Sequence, residues 1–177
     1  MSSYAAFLRA INVGGRRVTN DRLRAVFEEL GYTDVVTIQA AGTVAFGSTR
    51  RSPATVATHL SAGLEDALGY EATAFVRSAR QVADIVDAAP FEAGAGAKIH
   101  VTFLPAAPSA AQRRAVEALG VPGDELAVVG SELFWRRAGP MMESALDQKA
   151  VAAALGKVPT TTRTLATVAK TAARLDP

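Results

Sequence analysis

The sequence has no cysteine among its 177 residues. Disulfides, thiolate nucleophiles and cysteine–zinc sites are therefore excluded. No basic segment followed by an apolar run opens the chain, so we expect no signal peptide. No apolar stretch approaches the roughly 20 residues that a membrane-spanning helix needs. We therefore expect a cytoplasmic protein with no membrane segment.

Signatures of common enzymes are also missing from the sequence. There is no P-loop pattern and no Gly-x-Ser-x-Gly nucleophile elbow. Gly94-Ala-Gly96 precedes a predicted strand instead of following one, so it is not a dinucleotide fingerprint. The histidines, His59 and His100, lie far apart in sequence and outside any metal-binding spacing. The sequence thus predicts no cofactor and no metal site.

Hydrophobic residues make up 49% of the chain, which is enough to bury a sizeable core. The net charge is only +2, although four arginine pairs occur. Arginine offers a planar fork of donors to phosphate, but we interpret most of these pairs as solvated surface. The pairs are Arg16–Arg17, Arg50–Arg51, Arg113–Arg114 and Arg136–Arg137.

Hydrophobic periodicity predicts a β-α-β-β-α-β order in the first half of the chain. The run Tyr4–Ile11 is nearly continuous apolar residues, as in a central strand. Leu23, Val26, Phe27 and Leu30 form one stripe of a helix that Thr19 or Asn20 caps. Further predicted elements are strands 35–38, 43–46 and 72–76, a helix from Pro53 capped by Ser52, and a short helix from the capping box Ser78–Gln81.

A second β-α-β-β-α pattern follows the glycine-rich stretch 93–97, which is the best candidate linker. We therefore predict an α+β fold in which two ferredoxin-like units form one compact body. The domains would be residues 1–90, with an extra helix, and 98–177. The predicted elements of the second unit are strands 99–103, 126–129 and 133–137, helices from the capping box Ser109–Gln112 and over 145–155, and a last helix after three threonines.

The segment from Arg9 to Arg17 is the most suggestive for ligand binding. It runs from a strand end through Asn12, Gly14 and Gly15 toward a helix start. Glycines let backbone N–H groups approach a ligand, and a helix N-terminus favours anions. A tight turn with surface arginines is the structural alternative.

Two other segments could contribute to the same site. Thr160-Thr-Thr-Arg163 precedes the last predicted helix, where threonine hydroxyls normally cap. The alternative is a second anion-binding helix start with Arg163 reaching into a shared cleft. Gln39 to Thr43 could add amide and hydroxyl contacts.

Five segments together resemble the domain-of-unknown-function family 1697. They are AAFLRAINVGG, TIQAAGTVAF, FVRS, HVTFL and TTRTLATVAK, in order along nearly the full chain. The resemblance implies a bacterial α+β protein with ferredoxin-like topology, and it implies no established activity, substrate or cofactor. The family's Arg-Gly-Ile-Asn appears here with Ala10 in place of glycine, and its Gln-Ser-Gly-Asn and Thr-Arg-Asn-Trp-Asn have lost polar side chains. The polar residues that remain are Arg9, Asn12, Gln39, Arg77 and Arg163.

Three functions follow as hypotheses. The first is binding of a small anionic ligand, a nucleotide or phosphorylated metabolite, in a cleft between the two units. The second is a single-stranded nucleic-acid-binding module, although Phe7 and Phe46 are as easily core residues and no RNP1 pattern occurs. The third is an enzyme of unknown class that uses His100 or Arg9. The oligomeric state is left open.

Overall fold

The computed structural model describes residues 1–39, 42–92, 94, 96–139 and 144–175. The chain divides into two compact units. Unit 1 comprises residues 1–84 and 169–177, and unit 2 comprises residues 85–168. The domains predicted from the sequence, 1–90 and 98–177, stay a prediction beside this grouping by contacts.

Unit 1 is built on a β-α-β-β-α-β order. Its strands and helices are β1 (Ser2–Arg9), α1 (Asn20–Glu29), β2 (Thr33–Gln39), β3 (Thr43–Ser48), α2 (Pro53–Leu68) and β4 (Thr73–Ser78). Helix α3 (Ala79–Asp87) follows β4.

Unit 2 has the same order of elements. They are β5 (Lys98–Phe103), α4 (Ala110–Glu117), β6 (Asp124–Val129), β7 (Glu132–Arg137), α5 (Gln148–Ala154) and β8 (Thr161–Thr164). Helix α6 (Leu165–Ala172) follows β8 directly.

Each unit contains one four-stranded antiparallel sheet. The strand orders are β2-β3-β1-β4 and β6-β7-β5-β8, so the two units repeat one topology. This is the ferredoxin-like arrangement, and it confirms the predicted α+β fold with two repeated units.

Alternate residues of β1 point to opposite faces of the sheet of unit 1. Tyr4, Ala6 and Leu8 belong to a core with the apolar stripes of α1 and α2. The second face of a four-stranded sheet of this kind is either solvated or covered. The structure shows it buried, because Phe7 and Phe75 on that face are 0% and 3% exposed.

The sheet of unit 2 is likewise buried on both faces. Leu133 and Trp135 pack with residues of α4 and α5 in one cluster. Val101, Phe103 and Phe134 lie on the opposite face and are buried as well.

Helix caps are where the sequence patterns located boundaries best. The Oγ1 of Thr19 accepts the Arg22 N–H at the start of α1. Ser52 caps α2, which ends at left-handed Gly69. The Ser109–Gln112 capping box forms with both reciprocal hydrogen bonds, because its side chains satisfy amides that the first helical turn leaves unpaired.

The prediction for the segment Thr160–Arg163 was wrong. Thr161–Thr164 form strand β8 against β5, so the residues from Thr161 to Arg163, which were predicted to cap the last helix, lie in a strand. Threonine is β-branched and favours extended backbone, which is the tendency that the prediction underweighted. Thr164, one residue beyond the predicted segment, caps α6, since its Oγ1 accepts the Thr167 N–H. Helix α5 is also shorter than the predicted 145–155.

Gly63 in α2 provides a test of how closely α1 and α2 pack. A Cβ atom at Gly63 would overlap the terminal carbons of Leu30. We expect Gly63→Ala to destabilise the protein by about 1 kcal/mol, because overpacking outweighs the gain in helix propensity. In a Leu30→Ala background the same change should stabilise by about 1 kcal/mol. Urea unfolding of the four proteins measures this coupling; equal effects of Gly63→Ala in both backgrounds would refute the close approach.

Candidate functional site

The candidate site begins where β1 ends. Arg9 is exposed and pairs with Thr73 of β4. The next residue, Ala10, has a φ of 65°. This left-handed conformation costs an L-residue other than glycine about 1 kcal/mol. The chain thus turns out of the sheet at a strained alanine.

Three hydrogen bonds hold the loop between β1 and α1. The Val18 N–H donates to Asn12 Oδ1 at 2.8 Å, and the Arg16 N–H donates to the Val13 carbonyl at 3.2 Å. The Tyr70 hydroxyl donates to the Ile11 carbonyl at 2.9 Å. Asn12 therefore shapes the loop through its side-chain oxygen.

An open basin with a volume of ≈ 600 Å³ lies over this loop. The guanidinium of Arg16 lies 4.4 Å from the ring centroid of Tyr70. Gly14 and Gly15 have φ values of 62° and 78°, and a Cβ at either would meet nothing within 4 Å. The lining residues are Asn12, Gly15, Arg16, Arg17, Val18, Thr19 and Asn20.

Two other predicted residues of unit 1 lie elsewhere in its sheet. Arg77 pairs with Ala5, and its Nη1–H donates to the Val76 carbonyl at 3.0 Å. Ala5 precedes Arg9 by four residues, so Arg77 enters the sheet roughly 13 Å from Arg9 along the strand. Gln39 pairs with Thr43 in the ladder of β2 and β3; Ala40 and Ala41 of the same predicted segment lie outside the described residues.

Arg163 belongs to unit 2, where it pairs with Val101. Its Nη1–H groups donate to Thr161 Oγ1 at 2.9 Å and to the Thr162 carbonyl at 2.8 Å. Burial lowers the pKa of Arg163 from its ordinary value. The predicted convergence of Arg9 and Arg163 in one cleft stays a prediction, because each unit is described by itself.

His100 lies on the face of β5 that also carries Thr102 and pairs with Trp135. The two rings are 5.1 Å apart. Burial lowers the pKa of His100, and the positive charges of Arg137 and Lys98 lower it further. Among the described residues, Nε2 of the buried His100 has no hydrogen-bond partner.

Sequence reasoning missed a tyrosine–histidine pair in unit 1. The Tyr32 hydroxyl and His59 Nδ1 are 2.9 Å apart. Burial raises the pKa of Tyr32, and burial lowers that of His59. The residues are 27 apart in the chain and share no motif, so no sequence signal could have joined them.

Over the described ranges, no three His, Asp or Glu side chains come together as a metal site would require. Within the same ranges, no helix is long and apolar enough to span a bilayer.

Comparisons with known proteins agree with the fold. The family model "Protein of unknown function (DUF1697)" matches residues 1–134. The conserved bacterial protein SP0830 from Streptococcus pneumoniae has a similar solved structure, with a TM-score of 0.70 and 21% identity over 99% of both chains. At this identity the likeness concerns the fold alone. Among curated proteins, none matches the chain.

Ala10 gives a prediction about stored strain. We expect Ala10→Gly to stabilise the protein by about 1 kcal/mol, because glycine adopts a positive φ without the Cβ clash. The same change at Ala111, which is exposed on α4, should instead destabilise by about 1 kcal/mol. Chemical denaturation of both variants measures the difference; two changes of the same sign would contradict the strain at Ala10.

The lowered pKa of His100 predicts a pH dependence of stability. An unfolded chain has a histidine pKa of about 6.5, so below that pH the unfolded state takes up protons that His100 resists in the folded state. The free energy of unfolding should therefore fall as pH drops from about 7 to 5. His100→Gln should flatten this decline more than His59→Gln, since His59 is the more exposed. An unchanged slope in His100→Gln, measured by urea titrations at several pH values, would be inconsistent with the buried neutral imidazole.

Proposed function

Because the chain belongs to the domain-of-unknown-function family 1697, whose description gives no activity, we propose a function from the geometry of its own residues. Unit 1 binds a small anionic ligand, a nucleotide or phosphorylated metabolite, in the basin between Asn12 and Asn20. The basin is the single observation that carries this proposal. Its volume of ≈ 600 Å³ falls in the usual range for small-ligand sites.

The charges around the basin favour an anion. Arg16 and Arg17 both line it. Stacking on Tyr70 engages the flat face of the Arg16 guanidinium, and its N–H groups lie in the ring plane, where they suit phosphate or carboxylate oxygens. A stacked arginine has less side-chain entropy to lose when it binds, so the stack also prepares the site.

The backbone at the basin adds to these side chains. Helix α1, ten residues long, begins at Asn20, so its partial positive charge is directed toward the basin. Gly14 and Gly15 leave open space where side chains would otherwise stand, which supports close approach of a phosphate to the main chain. Of the other predicted site residues, exposed Arg9 is nearest in sequence and would extend the site.

The alternatives receive less support. Nucleic-acid binding by a ferredoxin-like sheet uses exposed aromatic rings, but none of the aromatic residues is exposed in the described chain. The enzyme hypothesis named His100 or Arg9: His100 is buried on the face that carries Trp135, and exposed Arg9 by itself is not a catalytic constellation. The proposed anion binding at the basin of unit 1 requires neither exposed aromatic rings nor His100.

Ligand binding to the basin is testable by thermal shift with inorganic phosphate, AMP and glucose 6-phosphate. A probe at ten times its Kd should stabilise by about 1.4 kcal/mol, which is about 3–6 °C for a chain of this size. Arg16→Ala/Arg17→Ala should weaken binding at least about tenfold, through loss of charged hydrogen bonds.

The matched control is Arg114→Ala, which removes one positive charge from an exposed position of α4 in unit 2. Binding should be nearly unchanged in that variant. No stabilisation by any of the three probes, or an equal loss in the Arg114→Ala control, would overturn the proposal.

A further inference from the structure

One end of the sheet of unit 2 collects three basic side chains on a single face. Lys98 pairs with Arg137, and His100 pairs with Trp135 in the same ladder. His100 and Arg137 are therefore diagonal neighbours on one face, roughly 7–8 Å apart between their backbones. Both border the Trp135 ring, at 5.1 Å for the His100 ring and 5.8 Å for the Arg137 guanidinium carbon.

Two of these side chains are buried with polar atoms that have no partner. Arg137 is 6% exposed and His100 is 7% exposed. The Nε and Nη1 atoms of Arg137 and the Nε2 atom of His100 are solvent-inaccessible and make no hydrogen bond. Burying charged donors without an acceptor is unfavourable, so these guanidinium nitrogens call for one.

The acidic residue that faces Arg137 across the ladder is already engaged. Asp124 pairs with Arg137 in the β6–β7 ladder. Its Oδ1 accepts the Trp135 indole N–H at 2.7 Å, and its Oδ2 accepts the Ser144 hydroxyl at 2.9 Å. Among the described residues, Arg137 forms no ion pair within 4.0 Å. Asp124 therefore fixes Trp135 and accepts from neither Nε nor Nη1 of Arg137.

In the described part of the chain, the other acidic side chains of neighbouring elements are engaged elsewhere, and Asp147 caps α5. Glu125 of β6 pairs with Arg136, which alternates to the opposite face. Glu117 of α4 accepts the Val128 N–H and pairs with Arg113. Strand β8 places only Thr162 and Thr164 beside the imidazole.

We propose that Arg137 and His100 hold a small oxyanion, a carboxylate or phosphate group, at this end of the sheet of unit 2. The anion accepts from the unpaired donors of Arg137 and from His100 Nε2–H. Lys98, exposed at the same end of the sheet, adds positive charge nearby. This site is separate from the basin of unit 1 and does not rest on it.

The imidazole reports on this anion. Without the anion, burial, Arg137 and Lys98 lower the pKa of His100. A bound anion reverses the local charge and favours the imidazolium, so the pKa of His100 rises on binding. By linkage, the anion binds more tightly as pH falls through the range in which His100 becomes protonated.

The test uses NMR of the full chain. The chain has two histidines, so His59→Gln leaves His100 as the only imidazole signal. Titration with inorganic phosphate, and separately with acetate, should raise the pKa of His100 by about half a unit or more. The acetate arm keeps a constant charge above about pH 5.5, and comparison of the arms shows whether a carboxylate or a phosphate is preferred.

Arg137→Met should weaken the anion response at least about tenfold. Arg137→Lys keeps the positive charge but lacks the Nε and Nη1 donors. It replaces Arg137→Met in the titration if Arg137→Met does not fold. The matched control is Arg136→Met, whose arginine is paired with Glu125 and should leave the response intact. The Arg16→Ala/Arg17→Ala variant should also leave it intact, which separates this site from the basin.

Three results would overturn the proposal. The first is a pKa of His100 that neither anion moves. The second is an anion-induced rise in the pKa of His100 that is equal with Arg137→Met and with Arg137 unchanged. The third concerns Glu143, which lies outside the described residues: if Glu143→Gln lowers the pKa of His100 without added anion, a carboxylate of the chain itself meets the charge of Arg137.

Discussion

Burial of both faces of each central strand is the constraint on which the fold depends. In β1, all five residues from Tyr4 to Leu8 are buried, and in β5 the run from Ile99 to Val101 is buried as well. A strand in this position cannot carry a solvated side chain on either face without a cost of several kcal/mol. Chemistry is therefore confined to strand ends and to the loops that follow them. Both proposed anion sites occupy such places, one after β1 and the other at the beginning of β5.

Much of this architecture could be predicted from the sequence, because it follows from local patterns. The stripe from Leu23 to Leu30, the proline at Pro53 and the two capping boxes each specify a helix through its own neighbours. Strand β8 was missed because its four residues carry no alternation to distinguish it from a cap. Its identity as a strand comes from pairing with β5, about 60 residues earlier in the chain, and short-range reasoning does not reach that far.

The candidate site residues show the same difference between local sequence patterns and long-range strand pairing. The loop from Asn12 to Arg17 was predictable because glycines, arginines and a helix start are adjacent in sequence, and the structure places a basin there. Arg137 was not singled out, because in sequence it is one arginine of a pair with Arg136. Only the ladder shows that Arg136 finds Glu125 whereas Arg137 turns to the buried face beside His100. Because side chains alternate along a strand, two adjacent arginines face opposite sides of the sheet, and only Arg137 is buried.

The two sites also differ in the physics of their charges. Arg16 and Arg17 stand in solvent, where ions screen an interaction over about 8 Å at physiological salt. Their contribution to binding is then modest and depends on several contacts acting together. Arg137 is enclosed, so water neither screens its charge nor stabilises it when the site is vacant. An anion there is held more strongly, but without the anion the buried charge of Arg137 lowers the stability of the folded protein. Occupancy of the site in unit 2 is consequently tied to the stability of its sheet, whereas occupancy of the basin in unit 1 leaves the core of that unit unchanged.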